Sequence, residues 1–273
     1  MELPMAIGRT MSNDAHIADL SKMRHLLLAG ATGTGKSVCL HAIIASLLFK
    51  KLPTQLKFVI IDLKQCEFSV YRKLEGHYLA KLSGDNEPVV TSADKAVEVL
   101  TSLCLEMEDR FNRLMSAKVR NIREYNKKCR DDGNREMPYI VVVIDEYSDL
   151  VAARGKEVEE YIIRLAQRAH AVGIHLILAT QRTSCNIVTG WIKANFPARI
   201  AFRVITSVDS RTILDREGAQ LLNGNGDMLF SVNGKTDRVQ GAFIVPSETE
   251  QLCDYIHQQP ASSSSYLLPV TND

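Results

Sequence analysis

Gly30-Ala31-Thr32-Gly33-Thr34-Gly35-Lys36-Ser37 fits the phosphate-binding loop pattern G-x-x-x-x-G-K-[ST] at every defined position. It follows the apolar stretch Leu26-Leu27-Leu28-Ala29 and runs straight into a helical stretch over residues 38–49. In that setting consecutive backbone N–H groups point inward at the α- and β-phosphates, and Lys36 reaches the β/γ oxygens. The Ser37 hydroxyl ligates Mg²⁺. Gly30, Gly33 and Gly35 allow backbone angles and a close approach that a Cβ would block. Residues Gly30 through Val38 are therefore expected to bind ATP with Mg²⁺.

A phosphate loop binds nucleotide; hydrolysis needs carboxylates. The run Tyr139-Ile140-Val141-Val142-Val143-Ile144 has the pattern of a buried strand and ends in Asp145-Glu146. Strand-end carboxylates project from the same sheet edge as the loop. Asp145 is expected to hold the Mg²⁺ shell through water, and Glu146 to polarise the attacking water. A third strand end carries Ala179-Thr180-Gln181-Arg182. Gln181 there is placed to hydrogen-bond the γ-phosphate or the water.

These residues need elements to carry them. Short β-branched runs at 25–29, 58–62, 139–145, 175–180 and 198–204 alternate with longer amphipathic stretches. That pattern predicts an α/β fold, a mostly parallel sheet flanked by helices. Residues 228–231 and 238–244 read as a late antiparallel hairpin turned through Asn233-Gly234. Ala93, Ala96, Val97, Leu100, Leu103, Met107, Phe111 and Leu114 recur at helical spacing, as do Val158, Ile162, Leu165 and Ala169. Residues 127–136 read as a charged surface loop. The serine run at 262–265 opens a flexible linker over 260–273, leaving one domain over 1–259.

Apolar residues make up 45% of the 273 residues and charged residues 24%, an ordinary globular composition. The net charge of +1 excludes a global basic field, so any nucleic-acid contact must come from local patches. Six scattered cysteines without metal-ligand spacing suit a reducing compartment and neither disulfides nor a zinc site. The longest apolar run, 42–49, is far short of the roughly 20 residues of a membrane span.

Several segments in order resemble the motor domain of the FtsK/SpoIIIE family of double-stranded DNA translocases. They are residues 23–37, 56–62, 139–146, 164–167 and 173–182, then Thr189-Gly190, 192–195, 198–202, 209–215 and 226–229. The resemblance covers nearly the whole chain. It implies a RecA-like fold, a homo-hexameric ring around duplex DNA and ATP hydrolysis between subunits. It also implies a cytoplasmic motor whose bacterial parent is anchored to the membrane by an N-terminal region outside this chain.

The chain departs from the family pattern at four places. Thr183 and Leu63 stand where prolines are usual, His170 where an arginine is common, and Val208 where a lysine often precedes the 209–215 run. The last two changes remove basic groups able to reach a neighbour's γ-phosphate, and a largely neutral His170 substitutes only in part. Arg168, Arg182, Arg199 and Arg211 are left as candidates for that trans role, with Arg211 favoured. If a ring closes on DNA, loops bearing Arg154 and Lys156, and Arg182 and Lys193, would face the pore and track phosphates. Trp191 is expected to pack on Ile187 or Val188. Two other functions stay open: a related ring ATPase of a secretion or conjugation system, and a non-hydrolysing nucleotide-binding regulator.

Overall fold

A computed structural model describes residues 1–84, 87–260 and 266–270. In chain order the elements are β1 (Pro4–Thr10), β2 (Ala15–Asp19), α1 (Leu20–Met23), β3 (Leu26–Ala29), α2 (Lys36–Lys50), β4 (Leu56–Asp62), β5 (Ala80–Leu82) and α3 (Ala93–Ala117). There follow α4 (Ile122–Asp131), β6 (Tyr139–Asp145), α5 (Tyr147–Arg168), β7 (Ile174–Thr180), α6 (Gly190–Asn195) and β8 (Ala198–Phe202). The chain continues through α7 (Ser207–Leu214), β9 (Asp227–Val232), β10 (Lys235–Gly241), α8 (Pro246–His257) and β11 (Tyr266–Leu268).

Nine strands form one sheet in the order β2-β1-β10-β9-β8-β3-β7-β6-β4. The strands named from the sequence are present in this α/β sheet. β3 runs parallel to both β7 and β8, while β8–β9, β9–β10, β10–β1 and β1–β2 are antiparallel. The antiparallel part is thus larger than the hairpin read from the sequence. That hairpin turns at Asn233 and Gly234, both at positive φ, as a tight turn between right-twisted strands requires. β3, β4, β6 and β7 are buried along their whole length, which is why they read as continuous apolar runs and not as alternating ones.

The chain divides into two compact units. One comprises Met1–Lys50, Ile144–Asp149 and Ile177–Leu252. Its α2 covers β1, where the Ser46 hydroxyl accepts from the Ala6 N–H and donates to Ala42 O. Ala29, Ala201, Val204, Ile213 and Leu214 form a core cluster under α7, whose start is fixed by a reciprocal Thr206–Asp209 capping box.

The other unit comprises Lys51–Val143, Leu150–Leu176 and Cys253–Asp273. The long helix α3 is capped by Ser92 and buries Ala96, Val97, Leu100, Leu103, Met107 and Leu114, the stripe read from the sequence. Residues 127–131, expected in a loop, instead complete α4. Asn121 caps that helix, and its Ile122, Asn126 and Cys129 are buried. Of the expected linker, 261–265 and 271–273 lie outside the described residues, while Tyr266–Leu268 form β11, parallel to β5.

Candidate nucleotide site

The parallel register sets Ala29 level with Thr180 on one side and with Ala201 on the other, so the loop and Gln181 leave their strands at the same edge. Gly30 N–H donates to Thr180 O and Ala31 N–H to Arg203 O, which pins the loop to both neighbours. Two glycines are required by space. A Cβ on Gly30 would stand 2.6 Å from Phe202 Cβ, and one on Gly35 would stand 2.8 Å from the Gly226 backbone. Gly33 and Gly35 also hold φ of +74° and +116°. The turn is closed by the Thr34 hydroxyl on Ala31 O and by Gly226 N–H on Thr34 O.

Lys36 opens α2 and is buried at 4% exposure. Its Nζ lies 3.5 Å from Asp145 Oδ1 and 3.6 Å from Glu146 Oε2, and finds no hydrogen-bond acceptor among the described residues. A buried ammonium with donors to spare, at the mouth of a loop that excludes a Cβ at Gly30 and Gly35, fits the phosphates of a nucleoside triphosphate. Ser37 follows on the first turn of the same helix.

Glu146 sits at φ +55°, a left-handed backbone uncommon outside glycine and asparagine. Its Oε1 accepts from the Ser148 hydroxyl at 2.6 Å and the Thr180 hydroxyl at 2.9 Å, and the Gln181 N–H reaches both carboxylate oxygens at 3.1 Å. Burial alone would raise this carboxyl. The Ser148 hydrogen bond and the Lys36 charge, joined by the Gln181 and Thr180 donors, outweigh it and hold Glu146 below its ordinary value. The Gln181 side chain is tied to the loop itself, since Thr32 Oγ1 donates to Gln181 Oε1 at 2.7 Å. Loop, carboxylate pair and Gln181 are thereby brought together within one unit.

Ser148 and Thr180 escaped the sequence reading. The signal was available: a hydroxyl two residues after the strand-end glutamate and another just before the glutamine. Thr183 also acquires a physical account, because its hydroxyl donates at 2.6 Å to Asp209, the residue that completes the α7 capping box. A proline could not make that bond.

The candidates for trans and DNA contact are scattered. Arg211 is exposed and paired with Glu217. Arg199 is spent on Asp215 and the carbonyls of Phe196, Lys193 and Ile213, and Lys193 pairs with Asp215 at 2.6 Å. Arg168 pairs with Glu108 and lies over the Phe111 ring. Arg154 and Lys156 were expected in a loop. They lie instead within α5, either side of a break where Gly155 adopts φ 52°, ψ −127°, and Arg154 pairs with Asp94 and Glu157. Glycine alone tolerates that angle pair, so the chain leaves helical geometry at Gly155 and α5 is two helical segments meeting at a kink. Trp191 is 64% exposed and not packed away as expected.

The fold and this site define a phosphate-loop ATPase of the RecA-like class. The FtsK/SpoIIIE family description matches residues 1–185, and the chain belongs to that family. It is 50% identical to the DNA translocase FtsK of Chlorobaculum tepidum over 98% of this chain and 34% of that protein. It is 46% identical to the DNA translocase SpoIIIE of Bacillus subtilis, again over 98% of this chain and 34% of that one. The chain thus spans about a third of the length of these relatives. Among solved structures it resembles the pCW3 conjugation coupling protein TcpA with ATPγS, at TM-score 0.80 and 29% identity over 93% of this chain and 71% of that one. The cytoplasmic domain of the Thermomonospora curvata type VII secretion ATPase EccC shares the fold at TM-score 0.82 and 22% identity, over 99% of this chain and 33% of that one. No helix among the described residues is long and apolar enough to cross a membrane.

Proposed function

We propose that this chain is the motor part of an ATP-driven double-stranded DNA translocase, working as a hexameric ring with ATP hydrolysed between subunits. The observation that carries the reading is the buried Lys36, poised between Asp145 and Glu146 behind a loop whose Gly30 and Gly35 leave no room for a Cβ, in a chain that belongs to the FtsK/SpoIIIE family. Lys36 and the loop N–H groups hold the phosphates. Ser37 and Asp145 hold Mg²⁺, which when bound neutralises charge on the β- and γ-phosphates. Glu146, ionised and fixed by its donors, orients the attacking water, and Gln181 links that geometry to the loop through Thr32. Arg211 is the proposed trans group; Arg154, Lys156, Arg182 and Lys193 are the proposed DNA contacts. The membrane anchor and the cytoplasmic placement belong to the longer parent.

The likeness to TcpA supports a second reading, a related ring motor of a conjugation or secretion system. ATPase rate against protein concentration, with and without long duplex DNA, separates the two. A DNA motor gives a rate that rises cooperatively with both, and Lys36→Ala abolishes it. A rate indifferent to DNA but raised by a protein substrate selects the second reading.

A further inference from the structure

A cavity of ≈ 530 Å³ lies in the unit that does not hold the phosphate loop. Six charged residues line it: Lys57, Arg113, Arg135, Glu106, Asp109 and Glu136. Three are cations and three are anions, but each carboxylate already has an arginine partner, two of them outside the lining. Glu106 is taken by the fully buried Arg110, Asp109 by Arg113, and Glu136 by Arg130. Lys57 and Arg135 are left facing each other's field, and among the described residues neither meets a carboxylate.

Lys57 is the anomaly. It sits on β4 at 2% exposure, and among the described residues its ammonium donates to a single acceptor, the His77 carbonyl at 2.5 Å. A buried ammonium normally demands a counter-ion, because desolvation costs several kcal/mol. Burial, with Arg135 adding repulsion, pushes Lys57 down to about 8. One wall of the cavity is the C-terminal strand with Pro269. That strand is held by the Tyr266 hydroxyl on Glu106 at 2.6 Å and by Arg110 on the Tyr266 hydroxyl at 3.1 Å.

We propose that this cavity binds a phosphate-type dianion between the Lys57 ammonium and the Arg135 guanidinium, and that its occupancy is linked to docking of β11. Two unmatched positive charges call for two negative ones. A phosphate group supplies about −1.5 to −2 at pH 7 and three acceptor oxygens, where a carboxylate supplies one charge. Lys57 has two N–H donors left, and a guanidinium such as that of Arg135 can offer a phosphate two parallel N–H donors. Because Tyr266 to Pro269 form one wall, any ligand that needs that wall stabilises the docked strand by mass action.

The test uses the full chain carrying Lys36→Ala, which silences the phosphate loop, titrated with inorganic phosphate and followed by ³¹P NMR. Saturable binding is expected. Lys57→Met should weaken it by about tenfold or more, and Arg135→Gln, an exposed position whose change leaves the core alone, by a similar factor. Near saturation, amide exchange at 266–268 should slow by about 100-fold when phosphate stands at 100 times its dissociation constant. AMP identifies the source: tighter binding than inorganic phosphate means a nucleotide, equal binding means free phosphate. No saturable binding in the Lys36→Ala protein, or binding untouched by Arg135→Gln, overturns the proposal. Unchanged exchange at 266–268 overturns the link to β11.

Discussion

Glu146, the proposed water-orienting carboxylate, sits on a strained backbone at φ +55°, with its carboxylate oxygens turned onto Ser148, Thr180 and the Gln181 N–H. A left-handed non-glycine residue costs on the order of 1–3 kcal/mol and persists only where its surroundings over-determine it. Those donors do so here. Glu146→Gln keeps the shape but loses the charge that polarises water. Turnover should fall by about 10²–10⁴-fold while ATP affinity, read by a fluorescent analogue, stays near the parent value. An equal loss of affinity would place Glu146 in binding and not in hydrolysis. Lys57 gives a second prediction, with a definite sign. Its value is near 8 folded and 10.5 unfolded, so between those pH values the unfolded chain binds more protons. The Lys57 contribution to stability should therefore rise from pH 8 to 10.5, while above pH 9 the buried Cys39 and Cys104 thiols, pushed up to about 12 and 11, work the other way. The measurement is the difference between the parent and Lys57→Met in denaturant melts, which should grow in the parent's favour over that range. The loop was legible in the sequence because its pattern is fixed at each defined position, and the carboxylate pair because it ends a continuous apolar run. Ser148 and Thr180 left only a weak signal, since a hydroxyl in a first helical turn or at a strand end has many ordinary uses.

The helices and strands follow the same division. β3, β6 and β7 are wholly buried and could be read directly as apolar runs. β1 and β2 lie at the antiparallel edge, partly exposed and with Gly8 inside β1, so neither forms a continuous apolar run. α4 hides only Ile122, Asn126 and Cys129 among charged neighbours, and two of those do not announce a core. β11 follows a serine run that reads as linker; its place is set by tertiary pairing with β5 and by Tyr266. Gly173 shows how tightly one such junction is drawn. It ends the turn after α5 at φ +78°, and a Cβ there would meet Ile122 Cδ1 at 2.3 Å and Tyr139 Cδ1 at 3.2 Å. Gly173→Ala combines left-handed strain with overpacking against α4. It should cost about 1–3 kcal/mol, lowering the melting temperature by roughly 2–4 °C for each kcal/mol. A melting temperature equal to the parent's would mean that α4 yields freely.

At the scale of the whole molecule, charge decides whether one copy can hold DNA. The chain has a net charge of +1, and two of the four proposed DNA-contact residues are already engaged, Arg154 by Asp94 and Glu157 and Lys193 by Asp215. Among the described residues no ion pair occupies Lys156 or Arg182. Two unengaged cations per copy neutralise about two phosphates, so log K against log salt should have a slope near −2 for an isolated copy. Binding that weak is lost at physiological salt. Six copies closing on one duplex would multiply the contacts and steepen the slope toward about −10. DNA affinity measured by anisotropy should therefore stay shallow in salt at low protein concentration, then steepen over the range where ATPase activity becomes cooperative. Lys156→Gln and Arg182→Gln should each reduce the steep slope by about one per engaged copy, with no preference for DNA sequence. A slope that stays near −2 at concentrations where hydrolysis is already cooperative would mean that the assembly forms without duplex DNA inside it, and the conjugation or secretion reading would take precedence.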